Sequence, residues 1–239
     1  MEKSAKKKIS RPKVLLLISG GIDSVVAGLL LKDKYEIIPV HMCLYPFYCS
    51  GSFEKMINIL KKLKKELKFK EFILFPHSEV LSRVLNGTEN LSPEEKEKAN
   101  HLMCLFCRRS MFKSAELICD ELGAEAIVTG EAIGQKASQT LDNLLVTSYK
   151  IKYPILRPLI GMNKDEIIPY FEKFGAREEH VGCCSVAPKK PSTAAQLDQV
   201  EALSEKLELD KIIKQNIKKM LVVKDLDKAH ELLQKIVSK

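Results

Sequence analysis

The amino-acid sequence predicts an α/β protein built on a doubly wound sheet of five parallel strands, with a helical extension at its C-terminus. Three observations carry that reading. Short apolar runs of strand length alternate with longer amphipathic segments, the pattern of βα units whose crossovers make strands parallel. The first run passes straight into a double-glycine turn and a helix start. The last stretch of the chain is lysine-rich and places apolar residues on one helical stripe.

Taken in order, residues 13–18 (KVLLLI) form the first strand and residues 25–31 continue the first helix. Residues 36–42 read as the second strand, and residues 53–67 as an amphipathic helix with a lysine face. Residues 71–75 are the third strand, ended by Pro76. The most loop-like stretch is 86–93, and Ser92-Pro93-Glu94-Glu95 reads as a helix start. A helix over 107–122 precedes a fourth strand at 126–129 and a turn at Gly130. Another helix is expected over 135–147, a fifth strand over 153–157, and a helix opened by Asn163 as its cap. Residues 192–219 look helical, with Leu197, Val200, Leu203 and Leu207 on one stripe. No internal repeat is present.

At 239 residues, against roughly 150 per domain, the chain holds one large domain with an appendage. The expected division is a flexible basic tail over 1–12, a nucleotide-binding domain over 13–191 and the helical extension over 192–239. No run approaches the ~18 apolar residues of a membrane span, and the N-terminus lacks a signal-type apolar stretch, so a cytoplasmic protein without a membrane partner is expected. Seven cysteines in such a chain are poorly explained by disulfides, which favours metal or sulfur chemistry. The formal net charge is +8, yet residues 1–13 hold six Lys and Arg against one Glu, so five of those charges sit in the tail. A tail of that kind adds sequence-independent attraction to phosphates.

Ser19-Gly20-Gly21-Ile22-Asp23-Ser24 is a phosphate-binding junction. Adjacent glycines let successive N–H groups converge, and the following helix adds its unpaired first-turn donors and the positive end of its dipole. No lysine follows the glycines, so this is not the G-x-x-x-x-G-K-[ST] loop of nucleotidases that cut the terminal phosphate. Asp23 is the natural carboxylate for Mg²⁺ held jointly with ATP phosphates. In a doubly wound sheet the ligand lies beyond the carboxyl ends of the strands, so residues 19–24, 41–49 and 129–139 should line one crevice.

Cys104-Leu-Phe-Cys107 precedes Arg108-Arg109, and His180-Val-Gly-Cys183-Cys184 lies far downstream. Together they could build a zinc site, an iron–sulfur site or a thiol relay, and spacing alone does not choose. His41 either touches nucleotide or caps backbone at a strand end, whereas His77, His101 and His180 read as structural and Cys119 as core. Cys43 and Cys49 fall in the loop after the second strand.

The S-G-G-x-D-S turn resembles the PP-loop of the ATP pyrophosphatase superfamily, whose members cleave ATP between its α- and β-phosphates. The segment from Thr129 to Leu144 (TGEAIGQKASQTLDNL), with C-x-x-C-R-R-x-M over 104–111 before it and P-x-x-R-P-L-x-G-M-x-K-x-E-I-I over 154–168 after it, is similar to the tRNA 4-thiouridine synthetases of the ThiI family. Cys183-Cys184 followed by Pro188 and Pro191 matches that family's C-C-x-x-x-P-x-x-P stretch. The resemblance spans about residues 13–223.

It implies an ATP-dependent sulfurtransferase that adenylates the C4 oxygen of a tRNA uridine, releases pyrophosphate and installs sulfur to give 4-thiouridine. Ser19, Gly20, Gly21 and Ser24 would hold phosphates and Asp23 would hold Mg²⁺, while His41, Met42, Thr129, Gly130 and Gln135 would complete the ATP site. Lys164 matches a family lysine that neutralises leaving-group charge, although Asn163 replaces the usual acidic residue before it. Cys184 aligns with the catalytic cysteine. Sulfur would come from sulfide or a persulfide donor, through a disulfide-forming relay or an iron–sulfur cluster ([4Fe-4S] or [3Fe-4S]) held by Cys104, Cys107 and Cys184; the cysteines suit the cluster route. Where the family has a Ser-Pro-Pro stretch, this chain has Leu44-Tyr-Pro-Phe-Tyr48. The family's THUMP and rhodanese regions are not matched, so a separate THUMP-type RNA-binding partner is expected, and the family's dimers imply a homodimer. Two other classes fit the turn as well: a ligase, amidotransferase or thiolase acting on a small molecule, and a non-catalytic ATP-binding subunit of an RNA-modification complex.

Overall fold

The computed structural model describes residues 11–175 and 184–237; residues 1–10 of the tail expected over 1–12, His180 and Cys183 lie outside the described residues. The elements run β1 (Lys13–Leu17), α1 (Ile22–Leu31), β2 (Glu36–Cys43), α2 (Ser50–Leu67), β3 (Phe72–Pro76), α3 (Ser78–Asn86), α4 (Pro93–His101) and α5 (Met103–Leu122). They continue with β4 (Ala126–Val128), α6 (Leu141–Ser148), β5 (Ile155–Leu156), α7 (Lys164–Lys173), α8 (Leu197–Lys206), α9 (Leu209–Asn216), β6 (Leu221–Val223) and α10 (Ala229–Val237).

The strands form one sheet in the order β5-β4-β1-β2-β3-β6. The five expected strands are mutually parallel, with Leu16 opposite Pro39 on one side and Val128 on the other. Chain order therefore reverses between β1 and β4, and that switch point is where such a sheet opens a crevice. Side chains of β1 alternate faces as a pleated strand must. Val14 and Leu16 join α1, α2 and α7 in one apolar cluster containing Phe53, Leu60 and Ile167. Leu15 faces the other way, into a cluster with Phe112, Ile118 and Cys119 of α5, which agrees with the core reading of Cys119.

Three expectations are corrected. The sheet has six strands rather than five: β6, drawn from the supposed helical extension, pairs antiparallel with β3, Ile73 opposite Val222. Three apolar residues inside lysine-rich sequence are too few to show a strand period. The extension is also no appendage, because Val200, Leu203, Leu207 and Ile213 of α8 and α9 close a third apolar cluster with α3, α4 and the start of α5. The helix expected over 135–147 begins only at Leu141, since Gly134 takes φ +74° and Lys136 is extended; Thr140 then caps α6 by accepting the Asn143 amide at 3.3 Å. The expected starts at Ser92 and Asn163 are both present as full capping boxes.

Buried Asn143 joins the motif loop to the C-terminal segments: its Nδ2 donates to Ala137 O (2.6 Å) and Ser192 O (2.9 Å), and its Oδ1 accepts from the Ala195 amide (3.0 Å). No helix among the described residues is long and apolar enough to cross a membrane.

Candidate active site

The turn between β1 and α1 is shaped by its two glycines and two serines. Gly20 has φ +82°, where a side chain is strained, and a Cβ there would meet the Met56 backbone of α2 at 3.1 Å. Gly21 is the N-cap of α1 and gives it no side-chain cap, so a first-turn donor there is left to other partners. The Ser24 hydroxyl donates to Gly21 O at 2.9 Å, and its oxygen accepts the Ser19 amide at 3.3 Å. The Gly21 amide in turn donates to Ser19 Oγ at 3.3 Å. Both serines thus brace the turn from within. Asp23, in the first turn of α1, pairs with Lys164 in the first turn of α7, Nζ to Oδ1 2.6 Å. Residues 141 positions apart in sequence meet at the lip of the phosphate turn because α1 and α7 pack together.

The opposite wall follows β4. A Cβ at Gly130 would lie 2.4 Å from the Asp23 carbonyl carbon and 2.6 Å from the Ser24 amide, so only glycine lets this wall touch the phosphate turn. Thr129 is buried, with its amide on Leu156 O at 3.0 Å. Gln135 is exposed further along the same loop. Met42 is buried among Phe75 and Phe112 on the α5 side of the sheet, so its side chain belongs to the core and any contact to nucleotide falls to its backbone.

His41 lies within β2, and both ring nitrogens have protein partners: Ile18 O at 2.9 Å on Nδ1 and Tyr48 Oη at 2.9 Å on Nε2. Burial holds its pKa down to about 4, so the ring is neutral. His77 is likewise buried and neutral, held to about 4 by burial, with Nε2 on Cys107 O at 3.1 Å.

Motif reading alone missed a buried charge cluster behind this wall. Glu131 is fully buried; Oε2 accepts from Arg157 Nε at 2.7 Å, and Oε1 lies 3.3 Å from an Arg108 nitrogen. Arg157 also donates to Ser148 Oγ at 2.6 Å and sits over the Phe112 ring. Arg109, the neighbour of Arg108 in sequence, turns instead to the end of α6, donating to Val146 O at 2.8 Å and Tyr149 O at 3.1 Å. The available signal was Glu131 itself, an acidic residue wedged between Gly130 and Ala132 beside a strand end, which is buried only when paired.

Cys104 and Cys107 occupy the first turn of α5, on a helix that starts four residues before the expected one, and both are half-buried. Cys184 is half-buried and opens a turn closed by the Ala187 amide on Cys184 O at 3.1 Å. Among the described residues, no three His, Cys, Asp or Glu side chains gather as a group that could hold a metal ion. Lys164, Asp23, Ser19, Gly20, Gly21, Ser24 and Gly130 are brought to one place; the cysteines approach from separate segments.

Comparison with known proteins agrees with this geometry. The family model described as thiamine biosynthesis protein (ThiI) matches residues 9–209. A relative from Methanothermobacter thermautotrophicus described as a probable tRNA sulfurtransferase is 39% identical over 199 residues, 82% of this chain and 49% of its own length. Another of that description, from Acetivibrio thermocellus, is 35% identical over 210 residues, 85% of this chain and 51% of its own. The chain thus spans about half the length of the curated relatives it matches. A crystal structure of a 4-thiouridine synthetase in complex with RNA and bound ATP superposes with TM-score 0.75 at 31% identity, covering 89% of this chain and 55% of that one. NAD⁺ synthetase from Burkholderia pseudomallei shares the fold alone, with TM-score 0.50 at 16% identity. Sequence motifs, sheet order and these likenesses converge on one assignment: the chain belongs to the ThiI family.

Proposed function

We propose that the chain is the ATP-activating part of a tRNA sulfurtransferase, which adenylates the C4 oxygen of a tRNA uridine and replaces it with sulfur to give 4-thiouridine. The observation that carries this reading is the Asp23–Lys164 pair set on the lip of the Ser19–Ser24 turn, in a fold that a relative with bound ATP and RNA shares. A carbonyl oxygen is a poor leaving group, and AMP makes it a good one. The uridine oxygen attacks the α-phosphorus, pyrophosphate leaves toward the turn amides, and a sulfur nucleophile at C4 then expels AMP. Lys164 neutralises charge as the leaving group forms. Asp23 offers the single carboxylate that Mg²⁺ takes alongside phosphate oxygens, and that ion would supply charge neutralisation across the phosphates.

Cys184 is the residue assigned to sulfur delivery, with sulfide or a persulfide as the source. Cys104, Cys107 and Cys184 are the thiolates that would hold an iron–sulfur cluster, which would present sulfide at an open iron, and metal and acid-labile sulfide analysis of anaerobically prepared protein tests that. Docking of the tRNA body falls to a THUMP-type region or a separate protein, in a cytoplasmic homodimer. The test is anaerobic incubation with unmodified bulk tRNA, ATP, Mg²⁺ and sulfide, followed by nucleoside mass spectrometry. Thiouridine lost in both Asp23→Ala and Cys184→Ala is expected. Persistence of thiouridine in either variant would overturn the residue roles, and AMP release without any thiolated nucleoside would overturn the reaction.

A further inference from the structure

The loop between β2 and α2 links the two halves of the site. The Ile18 carbonyl can only accept, so the proton of neutral His41 is on Nδ1 and its Nε2 is an acceptor. The Tyr48 hydroxyl, 2.9 Å away, must therefore donate to Nε2. The Cys43 sulfur lies 3.4 Å from the same hydroxyl oxygen. Phe53 packs on the other side of the imidazole, ring centroids 5.9 Å apart, which holds the ring in this orientation. One residue before Tyr48, the Phe47 carbonyl accepts the Ser185 amide at 2.7 Å, and Ser185 follows Cys184. Leu44, Phe47, Cys107 and Val186 pack against the same apolar cluster, so both segments rest on one core. A continuous path results: Ile18, which adjoins Ser19 of the phosphate turn, then His41, Tyr48, Phe47, Ser185 and Cys184.

We propose that Tyr48 is a positioning residue that couples nucleotide occupancy of the phosphate turn to the placement of Cys184. The reaction needs sulfur delivered only where an adenylated carbon waits, and a rigid tie between turn and cysteine provides that registration. Tyr48 is suited to it because its hydroxyl is shielded and burial raises its pKa, so it stays a donor. The inference rests on Cys184 being the sulfur-delivering residue. Its test does not depend on turnover.

Alkylation of Cys184 by iodoacetamide is followed by peptide mass spectrometry, with and without Mg²⁺ and α,β-methylene ATP, whose affinity is measured in parallel by calorimetry. In the wild-type chain saturating nucleotide should change the Cys184 rate about fivefold or more, the lower range of site-to-site coupling. In Tyr48→Phe the change should largely vanish while nucleotide affinity is retained, a dissociation that general destabilisation does not produce. Should that variant fail to fold, Ser185→Pro breaks the other end of the path. Ser185 is the second residue of the Cys184–Ala187 turn, where proline is accommodated, and proline removes the amide that Phe47 accepts. Equal Cys184 rates with and without nucleotide in wild type, or wild-type coupling in the folded variant, would overturn the proposal. Absence of nucleotide binding to wild type would overturn the ATP reading as well, and calorimetry identifies that case.

Discussion

The phosphate-turn half and the cysteine half of the candidate site are built in opposite ways. Around the phosphate turn, backbone touches backbone: Gly20 lies on Met56, Gly130 lies on Asp23 and Ser24, and the two serines lock the turn internally. The cysteine half is assembled from three distant segments, the β2–α2 loop, the start of α5 and the turn at Cys184; the Ser185 amide joins two of them at Phe47 O, and His77, after β3, bonds Cys107 O. A tightly packed half beside a half gathered from separate segments suits the proposed reaction, in which the uridine oxygen first meets phosphorus and the carbon that bears it then meets sulfur.

The sharpest way to test this division is to break each half alone. Lys164→Ala should lower pyrophosphate release by roughly 100-fold or more, the scale of removing one group that stabilises transition-state charge, and thiouridine should fall with it. Cys184→Ala should leave tRNA-dependent pyrophosphate release within a few-fold of wild type while thiouridine disappears. Parallel loss of both products in Cys184→Ala would erase the distinction between the halves.

A smaller effect is expected behind the Gly130 wall. Glu131→Gln keeps the shape but removes the buried negative charge between Arg108 and Arg157, side chains 23% and 18% exposed. Breaking a buried pair in this way costs about 3 kcal/mol, which should appear as a lower denaturation midpoint with an unchanged denaturant slope. An unchanged midpoint would mean that the arginines reach solvent in solution and that this wall is softer than the phosphate turn.

Legibility followed the same division. The phosphate-turn half was readable because its chemistry is contiguous: strand, S-G-G-x-D-S and helix lie within one stretch, and Gly130 follows its strand directly. Five strands were readable from apolar runs, but β6 was not, because three residues carry no period. What escaped depends on tertiary contact. Nothing local tells that Lys164 meets Asp23, that Glu131 is wholly buried, or that of two adjacent arginines one serves Glu131 and the other the carbonyls ending α6. Tyr48 gave no signal either, since its role depends on a histidine within β2 whose partner is the backbone of β1's exit.

pH should separate the regions more gently. His41 and His77 are both neutral in the fold, with pKa values pushed down to about 4 by burial, and both return to about 6.5 on unfolding. The unfolded chain therefore binds more protons below pH 6.5, so the contribution is fully present above that value and is lost as pH falls from 6.5 toward 4. Each histidine accounts for on the order of 2–3 kcal/mol across that window. Denaturation followed from pH 7.5 to 4.5 should show the decline, and His77→Gln should flatten part of it; a curve unaffected by that substitution would mean that His77 does not titrate in the unfolding step.

The smallest expected effect is on thiol chemistry at the boundary between the halves. Cys49 is exposed at the N-cap of α2, and the Ser52 hydroxyl 3.3 Å from its sulfur holds its pKa below the usual thiol value. Burial raises Cys43, and it pushes Cys119 up to about 12. Thiolate is the reactive form, so limited iodoacetamide at neutral pH should label Cys49 ahead of Cys43, with Cys119 last. Ser52→Ala should slow Cys49 by a few-fold without altering Cys119, because it removes a local hydrogen bond and leaves the core intact. If Cys43 were labelled as fast as Cys49, the loop would be opening in solution, and the tie through Tyr48 would be too weak to hold the two halves in register.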